Sequence, residues 1–335
     1  AHARCTHPLA RAGRPAHGLT MSRLRDEPNA LDQWSHVISR TTGIPLQHVV
    51  KDFWITESLR AMASAASESR VHLVFKGGTS LSKGYQIINR FSDDIDLLCL
   101  AEGGDTAVHA AMRLLHEAVA GQLRVEPLVD SKRSMSGEFR PAEYEYPGQI
   151  LLEGESAGTI RVELSTWGGS IPSEVKTLRS LIAEHASVAG LTGTYEESQP
   201  FDITVLRPER TLVEKLVILH DAAARDERRQ RKTARHYYDL WCLLGRPELR
   251  ALLAGQGTVA LANEVYKHNT ASKSSTARRR PSGGFAASTA FTGGGPAAAR
   301  DEYTRRVVGG LIWPGHPQPT FDECLTRVQE YADIL

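Results

Sequence analysis

The stretch Phe75-Lys-Gly-Gly-Thr-Ser-Leu-Ser-Lys-Gly84, followed by Arg90-Phe-Ser-Asp-Asp-Ile-Asp96, decides how this chain is read. Val71 to Phe75 has the composition of a short buried strand, and Thr79 to Ile88 the spacing of a helix. Gly77 and Gly78 thus fall at a strand-to-helix turn, where positive φ and close backbone approach are available. Asp94 to Leu100 reads as the next strand. Side chains alternate along a strand, so Asp94 and Asp96 share one face while Ile95 and Leu97 take the other. Two carboxylates on one face repel unless a cation lies between them. Mg²⁺ accepts one or two protein carboxylates and leaves positions for triphosphate oxygens. The predicted nucleotide-binding set is Gly77, Gly78, Thr79, Ser80 and Lys83. Their backbone, hydroxyls and charge would meet the β- and γ-phosphates. The loop satisfies neither the Walker A pattern nor the dinucleotide fingerprint.

The rest of the chain sets this motif in a larger frame. At 335 residues it is long enough for two domains or one large one. A hydrophobic content of 41% with 24% charged residues is ordinary for a globular protein. No apolar run approaches the ~20 residues of a membrane helix. The four cysteines (Cys5, Cys99, Cys242, Cys324) show no paired spacing, which predicts neither zinc site nor disulfide and fits a reducing cytoplasm. A net charge of +1 means that any polyanion must be met by a local patch.

Helices are predicted over Ala30 to Thr41, Asp52 to Ala66 and Asp105 to Gly121. Strands are predicted over Leu123 to Val129, Tyr144 to Leu152 and Thr159 to Ser165. Beyond Pro200 the pattern turns helical: Arg210 to Ala224, Lys232 to Leu244, Ala251 to Tyr266, and a last helix opened by the capping box Thr320-Phe-Asp-Glu323. The fold class expected is α+β, a mixed sheet with helices plus a helical C-terminal domain. The expected division is 1–21 as a disordered or non-native leader, 22–200 as the α/β domain and 201–335 as the helical domain. Within the last, 271–299 reads as a flexible Arg/Gly-rich loop.

The residues from Asp52 to Leu98 resemble the AbiEii/AbiGii toxin family of nucleotidyltransferases, within the DNA polymerase β-like superfamily. The superfamily pattern hG[GS]…Dh[DE] appears as Gly77-Gly78 and Asp94-Ile95-Asp96. The core KGGTSLSK…RFSxDIDL is closest to the mycobacterial MenT-type members. Two later family motifs are similar: the lysine-bearing helix Leu212-Val-Glu-Lys-Leu216, and Arg235-His-Tyr-Tyr-Asp-Leu240. The resemblance covers most of residues 45 to 335. It implies a polymerase β-like fold and a toxin of a toxin–antitoxin pair. Such a toxin is cytoplasmic, has a cognate antitoxin as partner, and adds nucleotides from an NTP to the 3′ end of tRNA with Mg²⁺ as cofactor. Nucleotidylation of a small molecule or a protein is the alternative within the same chemistry.

The resemblance also implies roles. Asp94 and Asp96 would hold the metal. Glu163, in Ile160-Arg-Val-Glu-Leu164, is the candidate third carboxylate, and equally a solvent-facing glutamate paired with Arg161. Lys215 would neutralise triphosphate charge, unless it is a surface lysine. Asp239 would orient Lys215 or position and deprotonate the acceptor; otherwise it is a buried carboxylate tying two helices together. The basic run Arg225 to Arg235, read as one helix, would line up Arg228, Arg231, Lys232 and Arg235 for a phosphate backbone; solvated runs look the same. Lys267, Arg278, Arg279 and Arg280 would add a second RNA-binding element, with Phe285 and Phe291 stacking on bases, unless that segment is a linker. Ser92 lies two residues before Asp94. A phosphate there, or an antitoxin covering it, would silence the site.

Overall fold

A computed structural model of the chain describes residues 21–92, 94–128, 138–147, 158–188, 193–271 and 278–335. The expected leader, Met21 apart, lies outside these residues.

Helices α1 (Pro28–Thr42) and α2 (Leu46–Glu68) precede β1 (His72–Lys76), which runs directly into α3 (Gly77–Lys83). Next come β2 (Asp94–Leu100) and α4 (Gly104–Leu123), then β3 (Phe139–Glu145), β4 (Thr159–Ser165) and β5 (Ser173–Leu178). Helix α5 (Leu181–Val188) leads to β6 (Phe201–Leu206). The remainder is helical: α6 (Pro208–Ala223), α7 (Glu227–Thr233), α8 (Arg235–Leu244), α9 (Pro247–Leu253), α10 (Gly257–Ala271), α11 (Ala297–Glu302) and α12 (Phe321–Glu330). The expected capping box opens α12: the Glu323 amide donates to the Thr320 hydroxyl while the Thr320 amide donates back to the Glu323 carboxylate.

The strands form one mixed sheet in the order β3-β4-β2-β1-β6-β5. β1 pairs parallel with β6 and antiparallel with β2, and β2 pairs parallel with β4. This is the expected α+β class, with one displaced boundary. β6 lies past position 200 and completes the sheet between β1 and β5, so the sheet draws on the segment assigned to the helical half. Pro200 breaks the pattern just before a strand of only six residues.

Alternation gives the sheet two unlike faces. Leu73, Phe75, Ile95, Leu97, Ile160, Val162, Leu164, Ile203 and Val205 point one way, into a core shared with Phe53, Trp54, Leu59 and Met62 of α2 and Met112, Leu115 and Val119 of α4. The opposite face carries only a small apolar cluster, Val74, Leu98 and Leu206, and the charged ends of the central strands. A second core lies among α6 to α12, built on Leu212, Leu216, Tyr237, Tyr238, Leu243 and Phe321. Leu81 of α3 joins that second core, so the diglycine turn sits where the two cores meet.

Three expectations about local structure change. α4 continues through Leu123, where a strand was predicted. The basic run is two helices rather than one, broken at Ala234. The segment 278–299 packs rather than floats: Phe285, Ala290 and Phe291 are buried in the second core.

Candidate active site

The polar face of the sheet gathers the motif residues. Lys76 of β1 is in register with Asp96 of β2, and Asp96 in turn with Glu163 of β4, so the three side chains stand side by side across the strands. Asp94 occupies the next position along β2, in register with Arg161. Gly77 has φ +79°, and a Cβ there would lie 2.1 Å from the Asp96 Oδ2. The turn therefore requires glycine twice over: for its backbone angle and for the carboxylate resting against it.

Like charges and burial shape this acidic row. Burial pushes the Asp96 carboxyl above its usual range; the nearby Lys76 opposes this, and Asp94 adds to it. Burial likewise raises Glu163, reinforced by Asp96 and Asp94 and opposed by Arg161. Acidic neighbours that hold Asp96 and Glu163 up are what a hard cation relieves. The donor set at Asp94 and Asp96 thus fits a divalent ion with phosphate oxygens completing its shell. Glu163 is not drawn into a three-ligand cluster: its carboxylate sits 2.8 Å from the Arg161 Nε. Among the described residues no group of three or more His, Cys, Asp or Glu side chains is placed to hold a metal.

Cations rim the row. The Arg235 Nη2 donates to the Asp94 Oδ2 at 3.0 Å. Lys232, at the end of α7, lies near enough to lower Glu163 against its burial. Arg228 and Lys232 are exposed, whereas Arg231 pairs with Glu227 at 2.7 Å. Of the predicted RNA-binding residues, Arg235 therefore belongs to the acidic site itself.

Beneath the rim lies a buried charge cluster. Arg90 grips both Asp239 oxygens, Nε to Oδ1 at 2.6 Å and Nη2 to Oδ2 at 2.8 Å. Lys215 Nζ meets the Asp239 Oδ2 at 2.7 Å, and His236 stands 3.4 Å from the same oxygen. Burial works against the charge on Asp239, yet Arg90 and then Lys215 outweigh it and hold the carboxyl well below its usual range. Asp239 is 0% exposed and Lys215 is 3% exposed. The geometry is that of a carboxylate tying helices together, with Lys215 anchored by it. It does not present Asp239 as a base to an acceptor.

Several predicted phosphate contacts are spent elsewhere. Thr79 donates its hydroxyl to the Asp94 carbonyl, and Ser80 donates to the Gly77 carbonyl; both are buried. These hydroxyls brace the turn rather than face a ligand. Lys83 pairs with Asp52 of α2, whose other oxygen accepts the Leu181 amide, so it locks α3 to the first core. Gly78 is buried, with the Ser92 Oγ 2.8 Å and the Arg90 Nη2 2.9 Å from where a Cβ would stand. Ser92 is half-buried beside that turn.

The Arg-rich segment is structural. Arg278 donates to the His220 carbonyl at 3.3 Å, Arg279 stacks over Tyr266, and Arg280 donates to the Leu335 carbonyl at 2.8 Å. Phe285 at 0% and Phe291 at 2% exposure are closed to a base. Lys267 is exposed on α10. Sequence reasoning missed two members of the site. One is Lys76, a lone lysine at a strand end that belongs to no periodic pattern. The other is the β4–β5 connection. There Gly168 and Gly169 take φ +114° and +76°, and Arg210 of α6 donates to the carbonyls of Gly168 and Ile171. The glycine pair in Trp167-Gly-Gly-Ser170 was the available signal.

The family model described as nucleotidyl transferase AbiEii toxin, type IV toxin–antitoxin system, matches residues 60–326. Among solved structures, the nucleotidyltransferase toxin MenT4 of Mycobacterium tuberculosis H37Rv is similar, with a TM-score of 0.53 at 18% identity. The match covers 90% of this chain and 88% of that one. At that identity the likeness is one of fold. No curated protein matches the chain. Among the described residues no helix is long and apolar enough to cross a membrane.

Proposed function

The chain belongs to the AbiEii family of nucleotidyltransferase toxins, and on that premise we propose that it transfers a nucleotidyl group from an NTP to the 3′ acceptor end of tRNA. The modified end would no longer accept an amino acid, and translation would stop. The observation that carries this reading is Asp94 and Asp96 side by side on the polar face, with Gly77 packed against Asp96.

An oxygen of the acceptor hydroxyl attacks the α-phosphorus and gives up its proton to water at the open face. The bond from the α-phosphorus to the bridging oxygen breaks, and pyrophosphate leaves with the electron pair. A divalent cation on Asp94 and Asp96, Mg²⁺ in this reading, supplies Lewis-acid polarisation and neutralises developing charge. The chain's own residues position the parts. Gly77 and Gly78 admit close backbone approach beside Asp96. Arg235 orients Asp94, and the buried Arg90–Asp239–Lys215 cluster fixes α8, on which Arg235 stands one turn before Asp239. Lys215 and Asp239 thus serve the reaction by positioning. The exposed Arg228, Lys232 and Lys267 favour an extended polyanion over a small molecule as acceptor.

The toxin acts in the cytoplasm and is held in check by a cognate antitoxin. Ser92, half-buried against Gly78, is the point at which added phosphate or a covering surface would crowd the nucleotide site. Full submission of Ser92→Ala to the antitoxin would remove that role.

The test is incubation of the protein with each labelled NTP, Mg²⁺ and total RNA, followed by sizing of the product. Label in the tRNA band, lost in Asp94→Ala, is expected. Label on protein or on a small molecule would overturn the acceptor assignment, and no label with any NTP would overturn the activity.

A further inference from the structure

We propose that Lys76 is the residue that grips the pyrophosphate end of the nucleotide, taking the part of leaving-group cation that the sequence assigned to Lys215. The inference rests on the nucleotidyl-transfer reading and deepens it.

Lys215 is not free for that part, because its ammonium is buried on Asp239. Of the other cations around the motif, Lys232 is on the α7 flank, and those nearer the turn are committed: Lys83 to Asp52, Arg90 to Asp239, Arg161 to Glu163, Arg235 to Asp94, and Arg210 to Glu214 and the Gly168 and Ile171 carbonyls. Lys76 differs. Its Nζ has one hydrogen-bond acceptor among the described residues, the Trp167 carbonyl at 3.4 Å, and forms no ion pair there. An ammonium has three donors, so two remain for a ligand. The side chain stands beside Asp96 by strand register and immediately before the diglycine turn.

The wall behind it is built to fit. A Cβ at Gly168 would stand 3.2 Å from the Lys76 Nζ, and the residue holds φ +114°. The positive φ that glycine adopts at Gly168 brings the β4–β5 connection up against the ammonium. Arg210, 1% exposed, pins that connection from α6 through the Gly168 carbonyl. Phe139 and Trp167 pack together next to it, centroids 5.4 Å apart.

The two flanks of the acidic row then differ in kind. On the α7–α8 side, exposed Arg228 and Lys232 suit the spread charge of a polynucleotide backbone. On the β1 side, a single half-buried ammonium behind a glycine wall suits the compact charge of terminal phosphates. Lysine acts there as a point charge with rotatable donors. Charge grows on the bridging oxygen as the bond to the α-phosphorus breaks. A donor placed there stabilises the transition state more than the bound substrate.

The experiment pairs kinetics with calorimetric binding of inorganic pyrophosphate in the presence of Mg²⁺, on the full chain. Lys76→Met keeps the apolar stem and Lys76→Arg keeps the charge. Lys76→Met is expected to lower kcat/KM for the NTP by roughly 10²–10³-fold and to weaken pyrophosphate binding about tenfold or more. The acceptor KM should hold within about twofold, and Lys76→Arg should recover part of both losses. Unaltered thermal unfolding of the variants separates these effects from misfolding. Equal pyrophosphate affinity in wild type and Lys76→Met, with transfer by the wild type intact, would overturn the Lys76 assignment alone. Absence of transfer by the wild type with every NTP would instead sink the reading beneath it. Pyrophosphate binding that still depends on Lys76 would then support the phosphate site by itself.

Discussion

Arg90 and Asp239 stand 149 residues apart and meet in a two-pronged pair with N···O distances of 2.6 and 2.8 Å, buried at 1% and 0% exposure. The pair joins the lead-in to β2 to helix α8, and so joins the sheet to the helical half. Removing one partner strands a buried charge, which typically costs about 3–5 kcal/mol. Asp239→Ala should lose that much, because it abandons both Arg90 and Lys215. Urea denaturation followed by circular dichroism measures it. A loss under about 1 kcal/mol, the range of an exposed pair, would contradict the clamp. Removing both ends with apolar residues of similar size, Arg90→Met with Asp239→Leu, should recover part of the loss.

Gly77 allows a sharper comparison. Gly77→Ala meets two penalties: a φ of +79° and a Cβ 2.1 Å from the Asp96 Oδ2. Gly104→Ala meets only the first, since φ is +77° there with nothing within 4 Å. Both should lose about 1–2 kcal/mol from the left-handed backbone. Only Gly77→Ala should also displace Asp96, the carboxylate proposed to hold the metal, lowering transfer by roughly 10²-fold, as small misplacements at reacting centres do. Equal activity of the two variants in the labelled-NTP assay would mean that Asp96 can move at no cost.

The sequence was legible where periodicity was local. β2 and β4 have the boundaries that alternation predicts, because each strand has one face in the core and one charged. The capping box of α12 and the apolar stripe of α6 were equally readable. What failed depended on how the folded chain uses each side chain, which periodicity does not report. Thr79 and Ser80 carry hydroxyls that suit a phosphate, but the turn folds them onto the Asp94 and Gly77 carbonyls. Lys83 suits a triphosphate until Asp52, 31 residues earlier, claims it. Phe285 and Phe291 sit among Gly, Ser and Ala, and only the assembled helices show that they are core. The break between α7 and α8 has no Pro or Gly to announce it.

His116 gives the chain a pH dependence of its own. It is buried between α4 and β3, where Nε2 donates to the Arg140 carbonyl at 3.1 Å and Nδ1 meets the Tyr144 hydroxyl at 2.8 Å. Burial pulls its pKa down from 6.5 to about 4. In the unfolded chain the imidazole takes a proton near pH 6.5, while the folded one refuses it until about pH 4. Stability is therefore unaffected by this group above pH 7 and falls as the pH drops through that window, by about 3 kcal/mol in full. Urea titrations between about pH 7 and 4.5 should show a steeper loss in wild type than in His116→Gln, which has no proton to take. Parallel slopes would show that the imidazole charges in place.

The two basic elements should separate by what their loss changes. Arg280 donates to the Leu335 carbonyl at 2.8 Å and lies over Phe285, while Arg279 stacks on Tyr266 at 4.5 Å. Their guanidinium groups hold the 278–299 segment against the second core, so Arg280→Ala should cost about 1–2 kcal/mol of stability. It should leave the salt dependence of tRNA binding as it was. Arg228 and Lys232 are exposed on α7, and Lys232 lies near enough to the acidic row to act on Glu163. Alanine at either should leave stability within about 0.5 kcal/mol. Each phosphate contact released should flatten the slope of log K against log salt by about 0.7–0.9. Fluorescence titrations with tRNA across a salt series read that slope. If Arg280→Ala flattened it and Arg228→Ala did not, the polyanion would run along the 278–299 segment, and the α7 side would be the solvated one.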